Sequence, residues 1–166
     1  MLKYKNAFIA LVQITVFRRR EKMMFEFRKA QSEDLPFLLK MLYEAVFWRQ
    51  GSDRPSFDEA FKYPEVAGAL EDWGIRKGDN AVIALHGSKP IGAAWYRYWT
   101  KSNNTRGYYS DDIPVMAIGV ESEYRKMGVG KEMIDRLISY AKDSSTEKVS
   151  LCVTKDNYAL NLYTKT

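Results

Sequence analysis

Residues 125–130 read Arg-Lys-Met-Gly-Val-Gly and lie between a strand-like run and a helix-like run. The run before them, residues 115–120 (VMAIGV), is apolar and partly β-branched, which is typical of a buried strand. The run after them, residues 129–141, repeats its apolar residues at helical spacing. The sequence therefore predicts a strand that leads through a glycine-containing loop into a helix.

The loop has the features of a pyrophosphate site. A helix N-terminus presents about four backbone N–H groups without intrahelical partners, together with the positive end of the helix dipole. Gly128 and Gly130 allow a ligand to approach the backbone closely, because no Cβ stands in the way. Arg125, Lys126 and Lys131 add positive charge around the same point. The spacing matches neither the P-loop nor the dinucleotide-binding fingerprint, and a strand-to-helix turn without a ligand is the alternative interpretation.

Three stretches of the chain resemble the GNAT N-acetyltransferase superfamily. Residues 125–130 are similar to its R/Q-x-x-G-x-G/A signature, which binds the pyrophosphate of acetyl-coenzyme A. Residues 156–163 (DNYALNLY), after a strand predicted at 148–153, resemble its D-N-x-A-x-x-L-Y segment at the start of the last helix. Residues 25–35 look like the opening strand and first helix. The resemblance covers roughly residues 24–166.

The resemblance implies a fold of the α/β class with an α+β arrangement. It is a GNAT-like three-layer fold, in which a strongly twisted mixed β-sheet is flanked by helices. Periodicity and turn signals add strands at 25–29, 81–85 and 91–100, and helices at 34–49 and, loosely, 56–73. In the family, a Gly-Phe pair and two final strands follow the last helix. Here the sequence stops at Lys165-Thr166, so we expect these final strands to be missing.

The charge of the chain is concentrated at its N-terminus. Residues 1–22 hold six basic side chains and one acidic one, which accounts for the whole net charge of +5. The remaining residues carry 20 basic and 20 acidic side chains. We therefore divide the chain into an extension, residues 1–23, and an acetyltransferase domain, residues 24–166. Because the domain is electrically balanced, we expect no nucleic-acid partner.

Residues 7–17 of the extension form an apolar run, AFIALVQITVF. Eleven residues are too few to cross a bilayer, which takes about 20, so we expect no membrane span. Three interpretations stay open: translation from an upstream start, an added strand, or a basic arm. Without final strands, the edge of the strand at 148–153 is unpaired, so we expect residues 7–17 or a second molecule to cover it. A homodimer follows from the second case.

The chain has a single cysteine, Cys152, and a single histidine, His86. One cysteine excludes a disulfide framework, so a reducing, cytoplasmic location is expected. Neither a histidine pair nor a cysteine cluster is present to bind a metal, and we expect none.

The family resemblance implies direct transfer of an acetyl group from acetyl-CoA, the cosubstrate, to an amine. It places Ile118, Gly119 and Val120 beside the thioester, where a backbone N–H stabilises the oxyanion as the strand bulges away from its neighbour. Tyr163 corresponds to the family's proton donor to the departing sulfur, and Asn157 to a cofactor-contacting asparagine. The expected pyrophosphate loop comprises Arg125, Lys126, Met127, Gly128, Val129, Gly130 and Lys131.

A general base is harder to assign, since family members place a carboxylate at varying positions. Asp111 and Asp112 precede the central strand, Glu44 lies on the first helix, and Glu121 follows the strand. We take Glu44 and Asp112 as the candidates. Aromatic residues in the regions that face the acceptor in the family suggest an apolar acceptor pocket: Phe47, Trp48, Trp95, Tyr96, Tyr98, Trp99, Tyr108 and Tyr109.

Two function classes are compatible with these motifs. The first is an acetyl-CoA-dependent N-acetyltransferase that acts on a small-molecule or protein amine. The alternative is a catalytically impaired coenzyme A-binding or interaction protein, because the expected loop at 125–131 supports either function. Only an intact acceptor side distinguishes the two.

Overall fold

The computed structural model describes residues 24–49, 51 and 53–163. The hypotheses of an added strand at 7–17 and of a basic arm therefore lie outside the described residues. Within the described part of the chain, no helix is long and apolar enough to cross a membrane.

Within residues 24–163, apart from positions 50 and 52, four strands form a single sheet in the order β1-β2-β3-β4. They are β1 (Phe25–Lys29), β2 (Asn80–His86), β3 (Lys89–Arg97) and β4 (Val115–Val120). Every neighbouring pair is antiparallel. The fold is thus α+β, and the prediction of a mixed sheet is wrong for the described residues. The register of β4 against β3 contains no shift, so the bulge expected in β4 is not seen on that side.

The strand predicted at 148–153 is reduced to one parallel bridge, between Val115 and Ser150. The N–H of Ser150 donates to the carbonyl oxygen of Pro114 at 2.9 Å. The carbonyl oxygen of Ser150 accepts from the N–H of Met116 at 2.7 Å. A strand requires a ladder of such bonds along its length. Because β4 and this segment pair at one point only, no fifth strand makes the sheet mixed within the described part of the chain.

In the described residues, five helices accompany the sheet: α1 (Leu35–Val46), α2 (Phe57–Ala60), α3 (Pro64–Ala67), α4 (Val129–Asp143) and α5 (Leu160–Tyr163). The long helices predicted near 34–49 and from 129 onward are confirmed. The loosely helical region at 56–73 is two short helices followed by a 3-10 turn, with Pro64 at the start of the second. The last helix begins at Leu160, later than expected.

The two long helices cover opposite faces of the sheet, as the alternation of side chains along β2 requires. Ile83 points to the α1 face, where it packs with Leu38 and Met41. Val82 points to the α4 face, where it packs with Met133 and Leu137. With one helix on each face, the start of α4 and the end of α1 both lie near the C-terminal end of β4.

Gly119 determines how closely α1 approaches β4. A Cβ on Gly119 would lie 2.3 Å from the carbonyl oxygen of Met41, a distance that real Cβ atoms do not show. Only glycine allows the backbone of α1 to rest on the strand here. The close approach brings Glu44, one helical turn further along α1, to the end of β4.

A buried ion pair connects the region after α3 to the sheet. Arg97, at the end of β3, donates from Nε and Nη2 to the two carboxylate oxygens of Asp79 at 3.1 and 2.7 Å. Its Nη1 donates to the carbonyl oxygens of Ala69 and Glu71. Both charged side chains are 2% exposed, so this guanidinium is fully occupied by its structural partners.

Acid should weaken the contact between β1 and the start of α1. The Arg28 guanidinium bonds both carboxylate oxygens of Asp34 and lowers the pKa of that carboxyl. A depressed folded-state pKa adds stability above the unfolded value, near 3.9, and that stability is lost as pH falls through the folded value. In urea titrations from pH 5.5 to 2.5, we therefore expect Asp34→Asn to show a smaller acid-induced loss of stability than the parent chain. Equal losses would contradict this.

Candidate active site

Beyond the bridge at Ser150, β4 and residues 151–154 diverge and leave a cleft of about 960 Å³ between them. The end of α1, helix α3, the loop at 125–131 and helix α5 form the other walls. A volume of this size suits a cofactor or a drug-sized ligand. The cleft is therefore the candidate site.

The loop opens into this cleft at Gly128, the N-cap of α4. Gly128 has φ of 87°, a left-handed conformation that favours glycine. A Cβ built on it would meet no protein atom within 4 Å, so the space in front of the backbone is empty. Lys126 is also left-handed, with φ of 61°, which costs about 1–2 kcal/mol in a non-glycine residue. Such local strain is common where backbone is shaped to bind a ligand.

Most of the predicted loop residues face the cleft. Those that line it are Arg125, Lys126, Gly128, Gly130 and Lys131. Val129 is buried in the core instead, and Met127 is 46% exposed outside the cleft lining. The α-carbon of Gly130 faces α5: an added Cβ would lie 3.3 Å from Cδ2 of Leu162. A small residue is needed there for α5 to pack on the loop.

Glu44 is held between two arginines. Its Oε2 accepts from Nη2 of Arg125 at 2.7 Å, and its Oε1 accepts from Nη2 of Arg54 at 2.7 Å. The Nε of Arg125 also donates to the carbonyl oxygen of Val120 at 2.9 Å. Arg54 stacks on the ring of Tyr43. All three charged side chains are at most 16% exposed, so the triad joins α1 to the loop.

The backbone of β4 directs donors into the cleft. The N–H of Met116 bonds Ser150, on the side away from β3, and the N–H of Glu121 bonds Ile91, on the β3 side. Because N–H groups alternate sides along a strand, those of Ile118 and Val120 point away from β3, into the opening. Gly119 lies between them and also lines the cleft.

The C-terminal motif supplies the opposite wall, where Asn157 and Tyr163 both line the cleft. The side-chain oxygen of Asn157 accepts from the N–H of Ala159 at 2.9 Å and so shapes the turn before α5. Burial, with a smaller effect from Tyr158, raises the pKa of Tyr163 to about 12. Its phenol therefore keeps its proton at neutral pH.

Asp112 lies apart from this group. It is exposed, it does not line the cleft, and it accepts a hydrogen bond from Ser110 that lowers the pKa of its carboxyl. The structure therefore does not bring Asp112 together with Glu44 and Tyr163.

No group of three or more metal-binding side chains is found among the described residues.

The predicted aromatic residues fall into two groups. Phe47, Trp48, Trp95 and Trp99 line the cleft, whereas Tyr96, Tyr98, Tyr108 and Tyr109 do not.

Sequence reasoning missed Arg54, which completes the triad with Glu44. It also missed Tyr63, which lines the cleft just before α3. Arg54 follows the turn at Gly51, whereas Tyr63 directly precedes Pro64, and no motif marks either residue.

Comparison with family models matches residues 42–166 to the model described as "Acetyltransferase (GNAT) family". A comparison with curated proteins finds no match. Among solved structures, the chain is similar to an aminoglycoside acetyltransferase, meta-AAC0020, from an uncultured soil metagenomic sample. That likeness has 22% identity, covers 86% of each chain and has a TM-score of 0.54.

Two other solved structures show the same likeness. One is an N-acetyltransferase from Staphylococcus aureus Mu50, at 17% identity, with 86% of this chain and 81% of that chain covered and a TM-score of 0.59. The other is a predicted acetyltransferase with acetyl-CoA from Clostridium acetobutylicum, at 20% identity, 86% and 88% coverage and a TM-score of 0.55. At these identities the likeness establishes the fold and leaves the acceptor open.

Proposed function

The chain belongs to the GNAT acetyltransferase family, and on that basis we propose that it transfers an acetyl group from acetyl-CoA directly to a primary amine. The main support for the proposal is Gly128 at the start of α4. Its backbone is left-handed, and no protein atom blocks the space between that backbone and the cleft. Acetyl-CoA has the two groups that this cleft suits, a pyrophosphate and a thioester on a slender arm. Lys126 and Lys131 add charge that complements the phosphates.

We place the pantetheine arm between β4 and residues 151–154, where the two segments diverge. In that position the thioester carbonyl lies beside the N–H groups of Ile118 and Val120. Attack of the amine nitrogen on the carbonyl carbon produces a tetrahedral oxyanion, and preorganised backbone donors stabilise such charge. When the intermediate collapses, the C–S bond breaks and the sulfur leaves with its electron pair.

Tyr163 is the donor proposed for the leaving sulfur. With its pKa at about 12, the phenol is protonated throughout the working range and can donate a hydrogen bond to the developing thiolate. Asn157 is proposed to contact the cofactor from the same wall. We assign the general base to neither Asp112, which lies outside the cleft, nor Glu44, whose two oxygens are held by arginines.

Replacing Tyr163 by phenylalanine should reduce kcat on the order of 100-fold, the usual effect of losing one hydrogen-bond donor to the charge that develops in the transition state. The KM for acetyl-CoA should change little, because the hydrogen bond forms mainly in the transition state. Steady-state kinetics measure both constants. Tyr158→Phe is the matched control: it also lines the cleft, on the neighbouring turn, and should retain near-parental kcat. A Tyr163→Phe enzyme with parental kcat would make Tyr163 a packing residue.

Two measurements test the function itself. Isothermal titration with acetyl-CoA and with CoA should show a single site per chain. A thiol-release assay should then detect transfer to at least one amine in a panel of aminoglycosides, polyamines, arylalkylamines and peptide N-termini. Binding of acetyl-CoA without thiol release from any amine would instead support the alternative of a coenzyme A-binding protein without transferase activity.

A further inference from the structure

The described part of the cleft lining contains three carboxylates, Glu44, Glu65 and Glu71. Both oxygens of Glu44 are bound by guanidinium groups at 2.7 Å. Glu65 lies on the exposed side of α3, and the Glu71 side chain is 67% exposed and 3.7 Å from Arg76. None of the three is a buried, available carboxylate of the kind that takes a proton from an ammonium group.

The other titratable groups of the described lining do not replace such a base. Four are tyrosines, Tyr63, Tyr124, Tyr158 and Tyr163, and one is the exposed thiol of Cys152. The Tyr124 hydroxyl is paired with the ring of His86 at 3.2 Å, and Tyr163 keeps its proton. The remaining charged groups are all cationic: Arg97, Arg106, Arg125, Lys126 and Lys131.

The aromatic wall is also unfavourable for an ammonium ion. Trp48 already carries the guanidinium of Arg49 at 4.5 Å from its ring centre. Trp99 has those of Arg76 and Arg97 at 5.7 and 5.8 Å. Each of these guanidinium groups is itself paired with a carboxylate, Arg49 with Asp156, Arg76 with Glu71 and Arg97 with Asp79, so both rings already pack against ion-paired side chains. Apolar walls favour the neutral form of an amine, because burial disfavours its charged form.

From this arrangement we infer that the acceptor is a weakly basic primary amine with an apolar or aromatic body, which enters the cleft as its free base without help from an enzyme base. The inference rests on the proposed acetyl transfer and specifies its substrate class. Peptide α-amino groups, with an ordinary pKa of about 7.7–8.0, and arylalkyl amines made less basic by electron-withdrawing substituents belong to this class. Strongly basic alkylamines such as a lysine side chain are poor members, because little of their free base exists at neutral pH.

The reaction balances without an enzyme base. The neutral amine nitrogen forms the C–N bond with its lone pair, and the C–S bond breaks to give CoA thiolate and a protonated amide nitrogen. That nitrogen is strongly acidic and releases its proton to water or, through water, to the thiolate. The products are the amide and CoA, and no further reactant is needed.

The test compares 2-phenylethylamine with its 2,2-difluoro analogue, which is nearly the same shape but less basic. We expect the acidic limb of log kcat/KM against pH to follow each amine's own measured pKa. The two limbs should therefore be separated by the difference between those values. At pH 7 the fluorinated amine should react about tenfold faster, since its larger neutral fraction outweighs its weaker nucleophilicity.

The variants Glu44→Gln, Glu65→Gln and Glu71→Gln should each leave the position of that limb unchanged. A limb at one pH for both amines, or one that disappears in any of these variants, would show an enzyme base and overturn the inference while leaving acetyl transfer in place. Absence of thiol release from every amine, with acetyl-CoA still bound, would overturn the transfer proposal and this inference with it.

Discussion

Gly128→Val should lower the affinity for acetyl-CoA by about 100-fold, or about 2.7 kcal/mol. The added side chain would project into the open space before the α4 N-terminus, where no protein atom lies within 4 Å. There it would displace the pyrophosphate from the backbone N–H groups, and each charge-assisted hydrogen bond lost costs about 1.5–3 kcal/mol. Isothermal titration with acetyl-CoA measures the change.

Gly87→Val provides a matched control for the backbone strain of this substitution. Gly87 also has a positive φ, 60°, and open space around it, but it lies in the β2–β3 turn and does not line the cleft. Both variants should lose stability to a similar extent, about 1–2 kcal/mol, and only Gly128→Val should lose affinity. If the Gly128 variant bound acetyl-CoA as tightly as the control, the pyrophosphate assignment would be wrong.

Arg97→Met should destabilise the fold by about 3–5 kcal/mol, the usual effect of removing one partner from a buried ion pair. The Asp79 carboxyl, 2% exposed, would lose both of its guanidinium hydrogen bonds. The carbonyls of Ala69 and Glu71 would lose a donor as well. Since these carbonyls follow α3, the wall of the cleft that α3 forms should loosen with them. Guanidinium chloride unfolding measures the stability.

Two further variants separate the buried charge from other effects of Arg97→Met. Arg28→Met removes a half-exposed arginine from its pair with Asp34 and should cost less than about 1 kcal/mol. The double variant Arg97→Met, Asp79→Leu removes both buried charges and should recover much of the lost stability. A loss below about 1 kcal/mol for Arg97→Met alone would mean that the pair contributes little.

Gly128 and Arg97 differ in how far their roles could be predicted from the sequence. The role of Gly128 depends on local sequence, whereas that of Arg97 depends on long-range contacts. The loop at 125–131 could be predicted, because the requirement for glycine at a helix N-terminus is local and appears in the sequence as a spacing. The helices α1 and α4 were predicted for the same reason, since their apolar periodicity extends over three or more turns. Strands β1 to β4 followed from short apolar runs and the Gly87 turn.

The sheet type could not be predicted from the same evidence. The segment at 148–153 has the composition of a strand, but strand pairing depends on a partner's course as well as on composition. Here β4 and that segment separate after Ser150, and the cleft occupies the space in which they would pair. The family resemblance implied that β4 parts from its neighbour, whereas composition and periodicity alone contain no information about that divergence.

The sequence by itself therefore determined the family motifs, the strand-loop-helix unit that carries Gly128, and the presence of Asn157 and Tyr163 in one segment. Only the tertiary structure decided which charged side chains are already ion-paired and which of them lie in the cleft. It places Glu44 between Arg54 and Arg125, Asp79 against Arg97, and Asp112 outside the cleft. The physical reason is that an ionisable group's role depends on neighbours within about 4–6 Å. Those neighbours come from positions up to 81 residues away in the chain.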